Sequence, residues 1–241
     1  MNLFWALLIT IGILQVSVLF TTIYLHRALC HRGLDLHPAL ANLMHLQLSL
    51  FTGVVPREWI AVHRKHHHFS DREGDPHSPY VHGLLQVFFG NYFYYKREIR
   101  NEATIRKYTP DYRPDVVDRI PFIRYGTLGG LLIFMGMFGW MWGLAAWSFH
   151  VVAYILLNSS INSLCHMIGY RNYNNQATNL RLIAWMTGGE GLHNNHHEHP
   201  SSAKFSRKLT KREFDPAWTV ICLLQRCGLA RVKPEPVAKA A

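Results

Sequence analysis

Two long runs without a charged residue constrain what this chain can fold into. Residues 2–25 contain no Asp, Glu, Lys or Arg, and neither do residues 126–165. A membrane-spanning helix needs about 20 apolar residues. The first run therefore predicts one span, at about 3–25, and the second predicts two, at about 126–142 and 144–165, joined by a tight turn. Buried core helices of a soluble protein are rarely this long. We expect an all-α integral membrane protein with about three transmembrane helices.

The basic residues predict the orientation of these spans. Lys and Arg outnumber Asp and Glu by 25 to 15. All of the Lys and Arg residues except Arg27 and Arg32 lie in residues 57–125 or 166–241. Positively charged loops remain in the cytoplasm. We therefore expect a cytoplasmic cap and an N-terminus on the other side of the membrane. A pI near 9.6 is also typical of nucleic-acid binding, but no motif for it is present, and no nucleic-acid partner is expected.

The remaining segments are assigned to one domain covering 1–241. We expect the helical, histidine-rich cap to comprise residues 26–125 and 166–232, followed by a disordered tail at 233–241. Within the cap, residues 80–95 are rich in aromatic side chains and predict an interfacial helix or lid. Residues 38–56 are apolar enough to be a short span, and composition alone does not decide their position.

Four short motifs contain most of the chemistry in the chain. Each of them places histidines, or an asparagine and a histidine, three to five residues apart. They are HxxxxH (His26, His31), HxxHH (His63, His66, His67), NSxxH (Asn162, His166) and a second HxxHH (His193, His196, His197).

Helical geometry indicates how these side chains can converge. Positions i, i+3 and i+4 share one face of an α-helix, so each HxxHH group can point in one direction. His26 and His31 are five apart and converge only if the helix distorts or ends there, for which Gly33 is a suitable stop. Neutral imidazole binds Fe, Zn, Cu or Ni. Nine imidazoles are too many for one metal ion and fit two.

The position of residues 38–56 follows if the histidines share one centre. His26 and His31 come directly after the first span. If residues 38–56 crossed the membrane, His63 would emerge on the opposite side from His31. We therefore predict that residues 38–56 form a cytoplasmic or interfacial helix and do not span. The hairpin at 126–165 returns Asn162 and His166 to the same side.

In these motifs the chain resembles the membrane fatty acid desaturases, specifically the Δ9 acyl branch that includes stearoyl-CoA desaturase, and among them the bacterial members. The resemblance includes DPHSP (75–79) and EFDPAW (213–218). It implies a non-haem di-iron centre held by the nine histidines, with Asn162 contributing through a water molecule, and no catalytic residue beyond the metal ligands. It also implies O2-dependent insertion of a cis double bond into a saturated acyl chain, at Δ9 by family default.

Other polar residues are assigned by proximity to the motifs. Glu58, Asp71, Asp75 and Glu190 are candidates to orient the imidazoles. A thiolate near such a centre would be oxidised, which argues against Cys30 and Cys165 as ligands. The histidines outside the motifs are expected to be surface groups or hydrogen-bonded polar residues. They are His37, His45, His68, His77, His82, His150 and His199.

The resemblance also implies partners, and it leaves alternatives open. The substrate is fatty acyl-CoA or an acyl lipid, because animal acyl-CoA enzymes have Arg-Asp before the second motif, where this chain has Ala61 and Val62. Electrons are expected from a separate ferredoxin- or cytochrome-type donor with its reductase. Arg207, Lys208, Lys211 and Arg212 form a basic patch for docking it or for contacting lipid headgroups. The expected location is a bacterial inner membrane with the active site facing the cytoplasm. Alternatives are a di-iron alkyl hydroxylase and a histidine-rich metal transporter.

Overall fold

The computed structural model describes residues 3–207 and 213–235, and this part of the chain is mostly helical with very little strand. The α-helices in chain order are α1 Leu3–Phe20, α2 Pro38–Phe51, α3 Pro56–Phe69, α4 Pro79–His82, α5 Leu84–Glu98, α6 Glu102–Tyr108, α7 Gly126–Phe138, α8 Trp140–Asn162, α9 Leu164–Met167, α10 Arg181–Met186, α11 His193–Glu198 and α12 Pro216–Arg226. A π-helix, Thr21–Cys30, continues α1, and a 3-10 turn, Ile123–Tyr125, precedes α7. Two short strands, β1 Leu34–Leu36 and β2 Ala230–Val232, pair antiparallel.

Two helices in the described part of the chain are long and apolar enough to cross a membrane. They are Leu3–Cys30 and Trp140–Met167, each of 28 residues. The predicted first span therefore extends through the π-helix to the first histidine motif. The predicted span at 126–142 is the shorter helix α7, which ends at Phe138 because Gly139 turns the chain at a φ of +81°. The prediction of an all-α membrane protein with about three spans is confirmed, since the described part of the chain is mostly helical and has two to three apolar helices that could cross a membrane.

The ambiguous segment at 38–56 forms α2 and the start of α3, and the two helices meet at a bend of 90°. A span made from this pair would be broken at the bend. α2 packs against α1 and α7, and two glycines of α7 allow a close approach. A side-chain atom on Gly130 would lie 2.1 Å from the carbonyl oxygen of Leu50, and one on Gly126 would lie 2.6 Å from that of Ser49. Small residues at helix interfaces permit this kind of contact.

The aromatic segment at 80–95 forms α4 and α5, separated by Gly83, whose φ is +92°. α5 packs on α8 along one side. Its other side is exposed at large apolar residues, with Phe89 at 68% and Phe93 at 71%. An exposed aromatic face beside two apolar helices is typical of a helix at the membrane interface.

The C-terminal region packs against the first histidine motif. Arg27, which is fully buried, donates two hydrogen bonds to the Asp215 carboxylate, at 2.9 and 3.0 Å. Asp215 also accepts from the backbone N–H of Trp218 and so caps α12. Lys233 contacts both Gly33 and Asp35, and Glu235 bonds Ser202 and Arg207. The prediction of a disordered tail is therefore wrong for residues 233–235, and its remainder, 236–241, lies outside the described residues.

Candidate metal centre

The first histidine pair converges through a distorted helix. Residues Thr21–Cys30 form a π-helix, in which hydrogen bonds run from residue i+5 back to residue i. The backbone N–H of His31 donates to the carbonyl of His26, five residues earlier, at 3.0 Å, as in a π-helix. The two rings consequently lie on one side, with centroids 4.8 Å apart. The distortion that the five-residue spacing requires is therefore present.

Helices α3 and α11 each divide their three motif histidines between two clusters. In α3, His63 and His67 point to one cluster and His66 to the other. In α11 the assignment is reversed, because His193 and His197 join the cluster of His66, and His196 joins that of His63. The expectation that each HxxHH group points at one place is therefore wrong. Successive residues of a helix are about 100° apart, so neighbouring histidines such as His66 and His67 diverge and reach two points.

The result is two separate groups of imidazoles. Within each group, the ligand nitrogen atoms all lie within 4.8 Å of one another. The five-histidine cluster contains His26, His31, His63, His67 and His196, and the four-histidine cluster contains His66, His166, His193 and His197. Their Nε2 atoms point inward. In the five-histidine cluster the closest Nε2–Nε2 distances are 2.9 to 3.0 Å. In the four-histidine cluster they are 3.0 to 3.3 Å.

These distances fit metal ligation at right angles. For a metal–nitrogen bond of about 2.1 Å, two ligands at 90° are about 3.0 Å apart and two ligands at the tetrahedral angle are about 3.4 Å apart. The shortest distances in both clusters match the first value. Neutral imidazole is a ligand for iron, zinc, copper and nickel. The donor set therefore fits iron among these metals, with nine nitrogen ligands for two ions.

Buried carboxylates fix the orientation of three of the rings. The Nδ1 atom of His66 lies 2.9 Å from Asp75, that of His166 lies 2.7 Å from Asp71, and that of His26 lies 2.6 Å from Glu190. A carboxylate at Nδ1 keeps the proton there and leaves the Nε2 lone pair free for a metal. Three of the four expected orienting residues are therefore placed to do so.

The electrostatics keep ligands and carboxylates in the forms that metal binding needs. Burial and then the neighbouring imidazoles lower the pKa of His193, His196 and His197 well below the ordinary histidine value, so these rings are neutral. Burial alone would raise the pKa of Asp71 and Asp75. Interactions with His166 and His66, including their hydrogen bonds, outweigh it, and the pKa of each carboxyl lies below its ordinary value.

Glu58 differs from the other three carboxylates. It accepts a hydrogen bond from Arg124 at 2.6 Å, and no histidine of the clusters lies within hydrogen-bonding distance of it in the described part of the chain. Asn162 donates to Asn91 at 3.2 Å, beside the four-histidine cluster. Sequence reasoning missed Asn91, which lies in the aromatic segment without a motif of its own.

The other histidines lie outside both clusters. His199 packs its ring on Tyr173, and His68 is exposed. His45 bonds Asp115, and His150 bonds the carbonyl of Phe51. His77 is buried next to His66 and Asp75, so it supports the centre more closely than sequence reasoning indicated. His37 caps α2, and His82 stacks on Tyr94.

Cys30 and Cys165 are buried and free. Of the predicted basic patch, only Arg207 lies within the described residues, and it pairs with Glu235.

A cavity of about 390 Å³ reaches the metal centre from the side of the apolar helices. His26, His63 and His193 lie in its wall together with Glu190 and Asn162. The rest of the wall comes mainly from α2, α3, α5, α8 and the segments next to them, and it is mostly aromatic or aliphatic. It includes Phe51, Val54, Trp59, Val62, Tyr92, Tyr95, Ile99, Trp147, Val151, Tyr154, Ile155 and Ile161. An apolar chain in this cavity would lie against imidazoles of both clusters.

Comparison with known proteins agrees with this arrangement. The family model described as Fatty acid desaturase matches residues 2–217, which include every motif histidine. The chain belongs to the fatty acid desaturase family. Its relatives include "Icosanoyl-CoA 5-desaturase" of Limnanthes douglasii, 34% identical over 94% of this chain and 64% of the relative. They also include "sn-1 stearoyl-lipid 9-desaturase" of Anabaena variabilis, 32% identical over 87% and 76%.

A third relative, "Delta-9 acyl-lipid desaturase 2" of Arabidopsis thaliana, is 30% identical over 93% of this chain and 73% of the relative. The chain thus spans about two thirds to three quarters of the length of these desaturases. Their names include both CoA and lipid carriers and more than one double-bond position. Family membership therefore leaves the carrier and the double-bond position of this chain open.

Proposed function

We propose that this chain is an O2-dependent fatty acyl desaturase with two iron ions held by its nine clustered histidines. The observation that carries the proposal is the cavity, whose apolar wall leads to imidazoles of both clusters. A saturated acyl chain is the kind of ligand that such a wall binds, because burying each methylene contributes about 0.8 kcal/mol. When bound, the two irons supply the O2 chemistry that breaks unactivated C–H bonds.

The chain's own residues have three tasks in this proposal. The imidazole Nε2 atoms hold the ions, with Asn162 contributing through a water molecule. Asp71, Asp75 and Glu190 hold protons at Nδ1 of their histidines and thereby keep the rings oriented. The aromatic and aliphatic wall excludes water and fixes which carbons lie near the centre. Δ9 placement, a ferredoxin- or cytochrome-type donor and a bacterial inner membrane with a cytoplasmic active site complete the proposal.

The test is a fatty acid profile of a desaturase-deficient host that expresses the chain with a ferredoxin or cytochrome donor and its reductase. Gas chromatography–mass spectrometry of derivatised esters locates any new double bond. The proposal predicts a new cis-monoene in cells with the wild-type chain and none in cells with His197→Ala. A hydroxy fatty acid would indicate alkyl hydroxylation instead. A host profile unchanged by the wild-type chain would contradict both activities.

A further inference from the structure

The cavity wall contains residues of two kinds. Phe51 and Trp147 line the wall and pack on an apolar cluster that includes Phe134 and Phe138. Glu58 and Arg124 form an ion pair in the same wall, with the Arg124 side chain largely exposed. An apolar chain with a polar group at one terminus suits a wall that offers both kinds of contact.

Tyr95 lies in the cavity wall, as do Glu58 and Arg124. Tyr95 and Asn91 are four residues apart on α5 and so share a face, about 6 Å apart along the helix. Asn91 bonds Asn162 beside the metal centre.

The Tyr95 hydroxyl has no hydrogen-bond partner among the described residues, and its oxygen is buried. A buried donor left without an acceptor is unfavourable, so a ligand that supplies an acceptor at this point is favoured. The only polar group that a saturated acyl chain carries is the carbonyl of its ester or thioester linkage. Lys96 and Arg124, in the same wall, suit the phosphates that both common carriers contain.

We propose that the Tyr95 hydroxyl donates a hydrogen bond to the carbonyl oxygen of the acyl ester or thioester and so sets how far the chain enters the cavity. This inference rests on the proposed function, because it takes an acyl chain to be the ligand. The Trp147 indole and the Nδ1 atoms of His77 and His193 are the other buried nitrogen atoms of the wall that lack a partner among the described residues. The indole packs on the apolar cluster of Phe134 and Phe138, whereas Tyr95 shares the wall with Lys96 and Arg124.

The test compares pairs of ligands that differ only in the carbonyl. Purified, metal-loaded protein in detergent is titrated with stearoyl-CoA and with its S-octadecyl thioether. It is also titrated with 1-stearoyl-lysophosphatidylcholine and with the 1-O-octadecyl ether. In at least one of the two pairs, the wild-type protein is expected to bind the carbonyl-bearing ligand about 5-fold more tightly than the matching ether or thioether. Tyr95→Phe should abolish this preference without changing affinity for the ether. The pair that shows the preference identifies the carrier.

Tyr108→Phe is the matched control, because the Tyr108 hydroxyl is also buried and lacks a partner among the described residues but does not line the cavity. It should retain the wild-type preference. The inference is overturned if the wild type shows no preference in either pair, if Tyr95→Phe retains it, or if only Trp147→Phe removes it. Binding is measured without turnover. A carbonyl preference that depends on Tyr95 would therefore stand even if no desaturated product formed, and that failure would count against the proposed function alone.

Discussion

The Nδ1 atom of His66 lies 2.9 Å from the Asp75 carboxylate, and both side chains are fully buried. Asp75 also accepts the backbone N–H groups of Asp71 and His77, which fix its own position. His66 is one of four ligands in its cluster. The carboxylate therefore determines both the tautomer and the direction of a metal ligand, although it does not itself belong to the cluster.

Asp75→Asn should weaken metal binding. The amide cannot accept the Nδ1 proton of His66 with a full negative charge, and loss of such a partner typically costs 10- to 100-fold in metal affinity. Competition with a chelator of known affinity measures the change. Asp115→Asn is the control, because Asp115 forms the same kind of pair with His45 away from both clusters. Equal loss of metal in both variants would show that Asp75 has no specific role.

His197→Ala should reduce desaturase activity by at least about 100-fold, because it removes a ligand that belongs to the four-histidine cluster. His199→Ala should leave most of the activity, since the His199 ring contacts Tyr173 and joins neither cluster. The conversion of stearoyl chains in the expressing host measures both. A comparable loss in the two variants would contradict the assignment of ligands.

Asp215→Asn should lower the free energy of unfolding by about 3–5 kcal/mol, because it leaves the buried Arg27 guanidinium without its counter-charge. Thermal unfolding of the purified protein measures this as a lower Tm. Asp35→Asn is the control, since Asp35 pairs with Arg231 and Lys233 at the surface, where an ion pair contributes about 0–1 kcal/mol. A similar Tm for the two variants would show that the Arg27 pair does not stabilise the fold.

Gly191→Ala should destabilise the loop that leads into α11. A Cβ at this position would lie 2.2 Å from the backbone nitrogen of Ala184 and 2.7 Å from the carbonyl oxygen of Leu180. Overpacking of this kind costs about 1–3 kcal/mol, and we expect a lower Tm and weaker metal retention. Gly136→Ala, which meets nothing within 4 Å, should change stability by less than about 1 kcal/mol. A harmless Gly191→Ala would contradict this close packing.

Much of the metal centre could be predicted from histidine spacing. The spacing indicated that the nine motif histidines converge, and the structure brings all of them into two clusters. It did not predict how they divide, because i, i+3 and i+4 positions were taken to share one direction. At metal–ligand distances, the roughly 100° between His66 and His67 is large enough to separate them into different clusters.

Other features depended on contacts between distant parts of the chain. Charge-free runs predicted the apolar helices, but the shortness of α7 followed from the conformation of a single residue, Gly139. The pairing of Arg27 with Asp215 links residues 188 positions apart, and no local pattern indicates it. Glu58 was a candidate to orient an imidazole because it lies near the second histidine motif. Its position against Arg124 depends on how α7 packs on α2.

The most direct test of the two-cluster centre is the metal content of the protein purified from cells grown with ample iron. Inductively coupled plasma mass spectrometry, with protein measured by amino-acid analysis, gives the ratio of each metal to the chain. The proposed di-iron centre predicts about two iron atoms per chain and little zinc, because the nine clustered imidazoles are enough ligands for two ions. One metal per chain, or two zinc ions in place of iron, would contradict the account.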